Sequence, residues 1–551
     1  MFTVKITYKD TIHPYPKDVT LLQISNDFKS QYKYPILVGS INGKILSLNT
    51  KVDRDGVINF FDVTSLDGNR AYERGLIYIY IKAVKEVLNS EVKIEHSIDR
   101  GIYTEVLSDE KIITESDVIK IEERMKKIAA DNLPFERLSV LRLDAINYFE
   151  TNKQYDKAAV LKYISNTYVN LYKLDNMYDY FYGEMPLNTS FLNLFKLTYV
   201  NPNGIVVRYP NLFINSEIAD YVERKKLFSE FRRYHKWSET INTKSLTDLN
   251  KKISSGDIKN LIYLSEVEQN NRLYDIAKEI NRNKNIKIVL IAGPSSSGKT
   301  TTSKKLSLYL QSLGKNPHYI SIDDYFLDRD KTPKNEKGEF DFESLNAVNL
   351  DLFNDQLNKL LNFEEVLLPE YNFILGKTEY KNRRLRIMEN DILIIEGLHA
   401  LNEELTSKVK RENKYKIYLS PLTSLNIDNH NRISTTDNRL LRRLIRDYNT
   451  RGYDASKTLS TWKKVRIGEE EHVFPYQDEA DIVFNTSLIY ELGVLRLYGE
   501  PLLFSVEESD PNYGEAIRLI NLLRNILPIT SSGIPLDSIL REFIGDSYFK
   551  E

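Results

Sequence analysis

The period of the apolar positions changes several times along this chain, and the changes divide it into regions. Val4, Ile6 and Tyr8 alternate with polar residues, the period of a strand with one buried face. Thr20 to Phe28 reads as a short helix, and Ser40-Ile-Asn42-Gly43-Lys carries the Asn-Gly pair of a tight hairpin. Residues 1–64 therefore predict a small β-rich unit. In residues 65–245 a helix is predicted over Glu115 to Ala130 within an α+β mixture. Residues 246–284 are rich in Lys, Asn and Ser and predict a connector with a helix from Leu261 to Ile280. From about Asn285, residues 285–551 switch to strand–helix alternation. Ile286 to Ala292 is a short β-branched run, and Thr301 to Leu313 places Leu306, Leu310 and Leu313 at helical spacing before Gly314. His318 to Ile322 and Asp391 to Glu396 read as further strands, so the fold class predicted here is α/β, a parallel sheet flanked by helices.

Gly293-Pro-Ser-Ser-Ser-Gly298-Lys299-Thr300 joins the first of these strands to its helix. Strand, glycine loop and helix is the arrangement that aims backbone N–H groups and a helix N-terminus at phosphate. Gly293, Ser295, Ser296, Ser297, Gly298, Lys299, Thr300 and Thr301 are the candidate nucleotide-binding residues. Lys299 would reach the β- and γ-phosphates and the Thr300 hydroxyl would ligate Mg²⁺. A chance glycine turn is the bland alternative, and the flanking strand and helix argue against it.

Four other segments follow. Asp323-Asp324 closes a predicted strand, where α/β sheets place ligands; a carboxylate there can accept the proton of an attacking hydroxyl or hold Mg²⁺ through water, or merely cap a turn. Glu396-Gly397 ends an apolar strand and suits the hydration shell of Mg²⁺. Arg439, Arg442, Arg443 and Arg446 recur at i, i+3, i+4 and i+7, with Asp447 and Arg451-Gly452 after them. Such a face is either solvated surface or, beside a phosphate loop, a lid that clamps polyphosphate. Gly338-Glu-Phe-Asp341-Phe and Leu368-Pro-Glu-Tyr371-Asn-Phe373 pair aromatics with carboxylates, which could hold an acceptor or serve as core and cap.

Bulk properties narrow the classes. At 551 residues the chain is too long for one core. Lys plus Arg number 76 and Asp plus Glu 78, so no overall charge draws it to nucleic acid or membrane. There is no cysteine, which excludes disulfides, thiol catalysis and Cys-ligated zinc and fits a reducing compartment. The seven histidines are scattered, with no close pair to seed a metal site. No apolar run approaches the roughly 20 residues of a membrane span, and Met1 to Tyr8 lacks a signal-peptide core. A cytoplasmic location is expected.

Together, Gly293-Pro-Ser-Ser-Ser-Gly-Lys-Thr-Thr, Ser321-Ile-Asp-Asp-Tyr-Phe, Phe340-Asp341, Pro369-Glu-Tyr371-Asn-Phe, Ile394-Ile-Glu-Gly397 and Arg442-Arg-Leu-Ile-Arg446-Asp447…Arg451-Gly452 resemble the uridine kinase and phosphoribulokinase family. The resemblance implies an ATP- and Mg²⁺-dependent kinase of a nucleoside primary hydroxyl. In it Asp323 takes the acceptor's proton, Lys299 and Arg446 act on the transferring phosphoryl group, and Arg446 and Arg451 belong to a lid. Asp341 would hold ribose hydroxyls, Tyr371 would face the base, and Thr300, Glu396 and Asp323 would serve Mg²⁺, partly through water. The chain departs from the family at Gly376-Lys377, where a His is usual, at Tyr453 of Arg451-Gly452-Tyr453, and at Thr461, where a Gln is usual. These departures touch base reading, so uridine itself is placed in doubt.

The N-terminal regions resemble threonyl-tRNA synthetases. Residues 1–64 resemble their ubiquitin-like (β-grasp) TGS domain, through the Thr20-Leu-Leu-Gln-Ile helix, Ile41-Asn-Gly-Lys and Asp55-Gly-Val-Ile. Residues 65–245 resemble the editing domain that follows it, through Ile98-Asp-Arg-Gly101-Ile-Tyr103, the Glu115 helix and Gly183…Thr189…Phe195-Lys-Leu197. The family's metal ligands fall here on Arg74, Tyr78 and Phe181-Tyr-Gly183-Glu-Met185, side chains that do not suit zinc. Editing chemistry is therefore expected to be absent, leaving a scaffold or regulator. The alternatives to a nucleoside kinase are a kinase of a non-nucleoside alcohol or sugar phosphate, with Lys377, Arg383, Arg384 and Arg386 as phosphate readers, and a nucleotide-gated RNA-binding protein. Self-association is compatible with all three. A GTPase is excluded by the lack of Asn-Lys-x-Asp in the phosphate-loop region.

Overall fold

The computed structural model describes residues 3–549 except 99, 108–111, 201, 211, 213–216, 335–337, 339, 373–374 and 424. Asp99, Glu339 and Phe373, each part of a segment singled out above, lie outside the described residues.

The alternation at the start of the chain becomes Thr3–Tyr8, the second strand of a five-stranded sheet ordered Thr11–Pro16, Thr3–Tyr8, Gly56–Phe61, Val38–Ile41, Lys44–Leu46. Helix Leu21–Phe28 lays Leu21, Ile24 and Phe28 on the apolar face made by Val4, Ile6, Ile58 and Phe60. This is a β-grasp unit. Its helix starts where it does because Thr20 and Gln23 bond each other's backbone N–H groups reciprocally. Asn42 and Gly43 both take positive φ (49° and 77°), the conformation a two-residue hairpin demands.

An α+β region follows. Helix Leu66–Leu88 is buried along most of its length, and helix Glu115–Ala130 begins at a Thr114/Asp117 capping box. The four-stranded antiparallel sheet runs Lys196–Val200, Gly204–Arg208, Gly101–Leu107, Glu91–Ile98. A smaller sheet of Glu136–Leu141, Tyr168–Leu174 and Met177–Asp179 stands apart from it.

The third sheet is wholly parallel. Its strands are β1 (Ile288–Ala292), β2 (Asn316–Ser321), β3 (Asp391–Glu396), β4 (Lys414–Ser420) and β5 (Ile482–Asn485), in the order β2-β3-β1-β4-β5. Every residue of β1, β3 and β4 is buried, as strands covered on both faces require, and β4 keeps Lys414 and Lys416 inside by pairing both with Glu403. Helix α1 (Lys299–Ser312) follows β1, and α2 (Thr435–Arg451) and α3 (Ala455–His472) lie between β4 and β5. The stretch expected to be a connector forms helices Leu246–Ser254 and Ile258–Arg282. Leu261, Leu273, Ile276 and Ile280 of the second join Val289, Ile291, Leu306 and Leu310 in the core beneath the sheet.

The β4–α2 connection is bound to the N-terminal half. Ile94 donates its N–H to the Asn429 carbonyl (2.7 Å), and Asn426 Nδ2 donates to the Ile94 carbonyl (2.7 Å). The buried Lys157 ammonium sits between Asp179 (2.6 Å) and Asp428 (3.0 Å), and His430 Nδ1 meets Asp179 at 2.6 Å. Burial alone would raise the Asp179 carboxyl, but Lys157 and His430 hold it below its ordinary value. Arg70 of helix Leu66–Leu88 pairs with Glu515 at 2.6 Å. Helix α2 therefore begins from a segment anchored in the N-terminal half.

Candidate active site

The phosphate loop is held in a conformation that side chains resist. Ser296 and Gly298 take positive φ (60° and 84°). A Cβ on Gly293 would stand 2.6 Å from the Leu419 carbonyl oxygen, so only glycine lets the loop leave β1 alongside β4. Lys299 folds back over the loop, donating to the carbonyls of Gly293 (3.0 Å) and Pro294 (3.4 Å). The Ser296, Ser297 and Thr302 hydroxyls are buried without hydrogen-bond partners. Unpaired buried hydroxyls are costly, and their concentration here is what an anion-binding cradle looks like when considered without the anion. Thr300 and Thr301 follow in the first turn of α1, whose N-cap is Gly298 and which has no side-chain cap at that position.

Carboxylates gather at the C-terminal ends of the parallel strands. Asp323 lies in a 3-10 turn, Ile322–Tyr325, immediately after β2. It is open to the cleft yet walled by protein elsewhere; that burial raises its carboxyl, while Lys299 and Arg451 pull it back down. Glu396 ends β3, fully buried, accepting from the Tyr319 hydroxyl (2.8 Å) and the Ser321 hydroxyl (3.3 Å). Burial pushes its carboxyl up to about 7 against the pull of Lys299, with Asp323 adding repulsion. A buried carboxylate close to Asp323 supplies the hard oxygen donors that fit Mg²⁺, and the Thr300 hydroxyl in the first turn of α1 is of the same kind. No group of three or more His, Asp or Glu able to enclose a metal exists among the described residues. Such an ion would have to complete its shell with water and phosphate, as Mg²⁺ does in phosphoryl-transfer sites.

The four-arginine face of α2 divides in two, and this corrects its reading as a single clamping lid. Arg439 and Arg442 are almost wholly buried. Arg439 Nε donates to the Ser295 carbonyl (3.0 Å) and its Nη2 pairs with Glu469; Arg442 Nε donates to Glu491 (2.9 Å) and its Nη2 to the Thr486 carbonyl (2.8 Å). These two brace the loop. Glu469 completes the brace by accepting the Ser295 N–H at 2.8 Å. Arg443 reaches the Ser295 hydroxyl (2.8 Å), while Arg446 and Arg451 remain around Asp447. Asp447 is fully buried and receives Arg443 and Arg451 at 3.1 Å and Arg446 at 3.9 Å, so one carboxylate gathers three guanidinium groups.

On the acceptor side, Asp341 Oδ1 accepts the Glu343 N–H at 3.2 Å, a turn-forming bond. Tyr371 sits on a hairpin of Glu370–Asn372 and Lys377–Glu379; it is buried, its ring edge-on to Phe326 at 5.6 Å. It therefore packs as part of an aromatic cluster with Phe326 and Phe342 rather than standing free in the cleft. The residue that stands among the charges of Glu469, Arg443, Asp323 and Lys299 is Glu343, two positions after Asp341. Burial pushes its carboxyl up to about 7, with Glu469 and Asp323 adding to the rise and Arg443 and Lys299 opposing it. Its side chain lies over Gly468 of α3, where a Cβ would meet it at 2.9 Å. Sequence reading missed Glu343, Glu469 and the gathering role of Asp447. A carboxylate near an aromatic has no spacing signal, and only the packing of α3 against the loop brings these groups together.

The positions that match the synthetase metal ligands are filled. Arg74 donates Nε (2.9 Å) and Nη2 (2.7 Å) to the Glu184 carbonyl. The buried Tyr78 hydroxyl lies 2.9 Å from the Tyr172 carbonyl and 2.7 Å from the Met177 carbonyl, and Phe181 and Met185 are core residues.

Residues 288–489 match the Phosphoribulokinase / Uridine kinase family. A uridine kinase of Anoxybacillus flavithermus is 26% identical over 197 residues, 36% of this chain and 84% of that protein. A threonine–tRNA ligase of Halalkalibacterium halodurans is 28% identical over 199 residues, 35% of this chain and 31% of that enzyme. Another, of Carboxydothermus hydrogenoformans, is 26% identical over 188 residues, 34% of this chain and 30% of that enzyme. The chain thus spans about a third of the length of these ligases. In residues 288–489 the chain carries a P-loop domain of the phosphoribulokinase / uridine kinase family, set behind an N-terminal part similar to threonine–tRNA ligases.

Proposed function

We propose that this protein transfers the γ-phosphoryl group of ATP to the primary hydroxyl of a nucleoside, in the cytoplasm. The observation that carries this reading is the meeting of Asp323, Lys299 and Glu396 at the ends of β1, β2 and β3, above a glycine-strained loop whose Ser296 and Ser297 hydroxyls lack partners. ATP would lie with its phosphates in the cradle of residues 293–301. Mg²⁺, held by Thr300, Glu396 and Asp323 partly through water, would offset the negative charge of the phosphate oxygens. Lys299 would leave the carbonyls of Gly293 and Pro294 for the β- and γ-phosphates. Asp323 would orient the acceptor hydroxyl and take its proton as the oxygen–phosphorus bond forms and the bond to the departing ADP oxygen breaks. Its raised carboxyl makes it a better base than an unperturbed aspartate. Arg446 and Arg451, aligned by Asp447, would stabilise charge as it spreads over the transferring group.

Asp341 and Glu343 would hold acceptor hydroxyls, with Tyr371 backing the base through its aromatic cluster. A sugar phosphate fits less well. Of the cations proposed to read its phosphate, Arg383 is bound to Asp324 (3.2 Å) and the Tyr319 carbonyl, Arg384 to Glu365 (2.7 Å), and Arg386 to the Phe363 carbonyl. The test is ADP release with Mg²⁺-ATP against ribonucleosides, deoxynucleosides and sugar phosphates, with Asp323→Asn as control. Turnover on a nucleoside that collapses in the variant supports the reading; turnover confined to a sugar phosphate, or surviving in Asp323→Asn, overturns it.

A further inference from the structure

The segment that follows residue 533 packs against the phosphate loop from outside the family-matched region. Ile539, Leu540, Phe543 and Ile544 are buried in the same core as β1 and α1. Ile539 roofs the loop, its Cγ2 lying 2.7 Å from where a Cβ on Gly298 would stand. Phe543 stacks under the Arg442 guanidinium at 4.9 Å, and its carbonyl accepts from Asn449 Nδ2 of α2 (3.1 Å). Ion pairing of Asp537 with Lys305 of α1 (3.1 Å), and the Ser538 hydroxyl on Glu266 (2.6 Å), tie the segment down on both sides.

This packing places Glu542 where phosphate chemistry would occur. Glu542 Oε2 accepts the backbone N–H of Thr301 at 3.1 Å, in the first turn of the phosphate-loop helix. The same carboxylate lies near enough to Arg446 and Glu396 to act on the charge of both. A carboxylate at a helix N-terminus satisfies an otherwise orphaned donor and the helix dipole, and a nucleotide phosphate would satisfy the same donor in the same way. The two cannot share the position, because both are anions competing for one N–H and one arginine.

Resting on the nucleotide-site reading above, we propose that Glu542 is a built-in competitor for the phosphate cradle. It occupies the Thr301 N–H, close to Arg446, until a nucleotide displaces it, so nucleotide binding loosens residues 534–546 from the loop and from α2. A carboxylate that merely caps α1 and one that competes with phosphate predict opposite changes in affinity, although both stabilise the fold. The experiment measures binding of Mg²⁺-ADP and a non-hydrolysable Mg²⁺-ATP analogue to the full chain, wild type against Glu542→Gln and Glu542→Ala, alongside melting temperature and amide hydrogen exchange.

Competition predicts that both variants melt earlier yet bind nucleotide about three- to tenfold more tightly. Wild type should show faster exchange in residues 534–546 when nucleotide is added, and Glu542→Ala should show little nucleotide-dependent change there. Equal or weaker binding by both variants overturns the proposal and leaves Glu542 a helix cap. Nucleotide binding without turnover on any acceptor would overturn the kinase reading while leaving this test intact. Failure of wild type and both variants to bind nucleotide would overturn both.

Discussion

The phosphate loop and the filled synthetase-like pocket are both lined by buried polar groups, and they treat those groups in opposite ways. Around Ser296 and Ser297 the hydroxyls have no partners and Glu396 is buried with too little positive charge beside it. In the other region the Tyr78 hydroxyl and the Arg74 Nε and Nη2 end on carbonyls at 2.7–2.9 Å. A fold leaves buried polar groups unpaired only at a cost, and a ligand is what repays it. The first region is organised for something that comes and goes; the second has been converted into core. That difference separates a region with room for a ligand's hydrogen bonds from one whose polar groups are already used.

The comparison breaks first at the phosphate side. Asp323→Asn should lower turnover by about 10³-fold or more with no loss of melting temperature, since its exposed side chain is not part of the core. An activity loss matched by unfolding would mean that Asp323 is structural. Arg446→Ala should cost about 10²-fold in kcat, with less effect on nucleotide affinity, because its charge matters most as the phosphoryl group departs. A pure KM effect would remove it from the lid.

The filled pocket should respond in the opposite currency. Tyr78→Phe removes the buried hydroxyl shared by the Tyr172 and Met177 carbonyls, and about 1–3 kcal/mol of stability should be lost while kcat per folded molecule stays within about twofold. A larger change in kcat would show that this pocket communicates with α2 through the Lys157–Asp179–Asp428 cluster.

The smallest effect is a matter of sign. The Glu396 carboxyl is held at about 7 against an ordinary 4.5, so between those values the native state binds the proton that the unfolded chain has released. Its contribution to stability is therefore undiminished below pH 4.5 and is lost as pH rises to 7. Glu396→Gln should raise the melting temperature of the nucleotide-free protein at pH 8 by a few degrees, and by much less at pH 4.5. A gain independent of pH would mean that the carboxyl is not titrating in the fold.

Much of this molecule was legible along the chain. The strand–loop–helix around Gly293 to Thr300, the strand-end carboxylates Asp323 and Glu396, the helix over Glu115 to Ala130 and the Asn42-Gly43 hairpin follow from local period and local backbone chemistry, which need no distant partner. What the tertiary structure alone decided depends on which side chains meet across long separations. Four arginines at helical spacing look equivalent, yet burial commits Arg439 and Arg442 to Glu469 and Glu491 and leaves Arg446 and Arg451 to Asp447. Tyr371 reads as a base-facing aromatic until Phe326 covers it. Glu343 and Glu542 carry no motif at all; each matters because another element, α3 or α1, packs against it. Local sequence dictates which backbone shapes form, since sterics and hydrogen bonding act within a few residues. Electrostatic role is set by burial and by the nearest opposite charge, and those are properties of the assembled core.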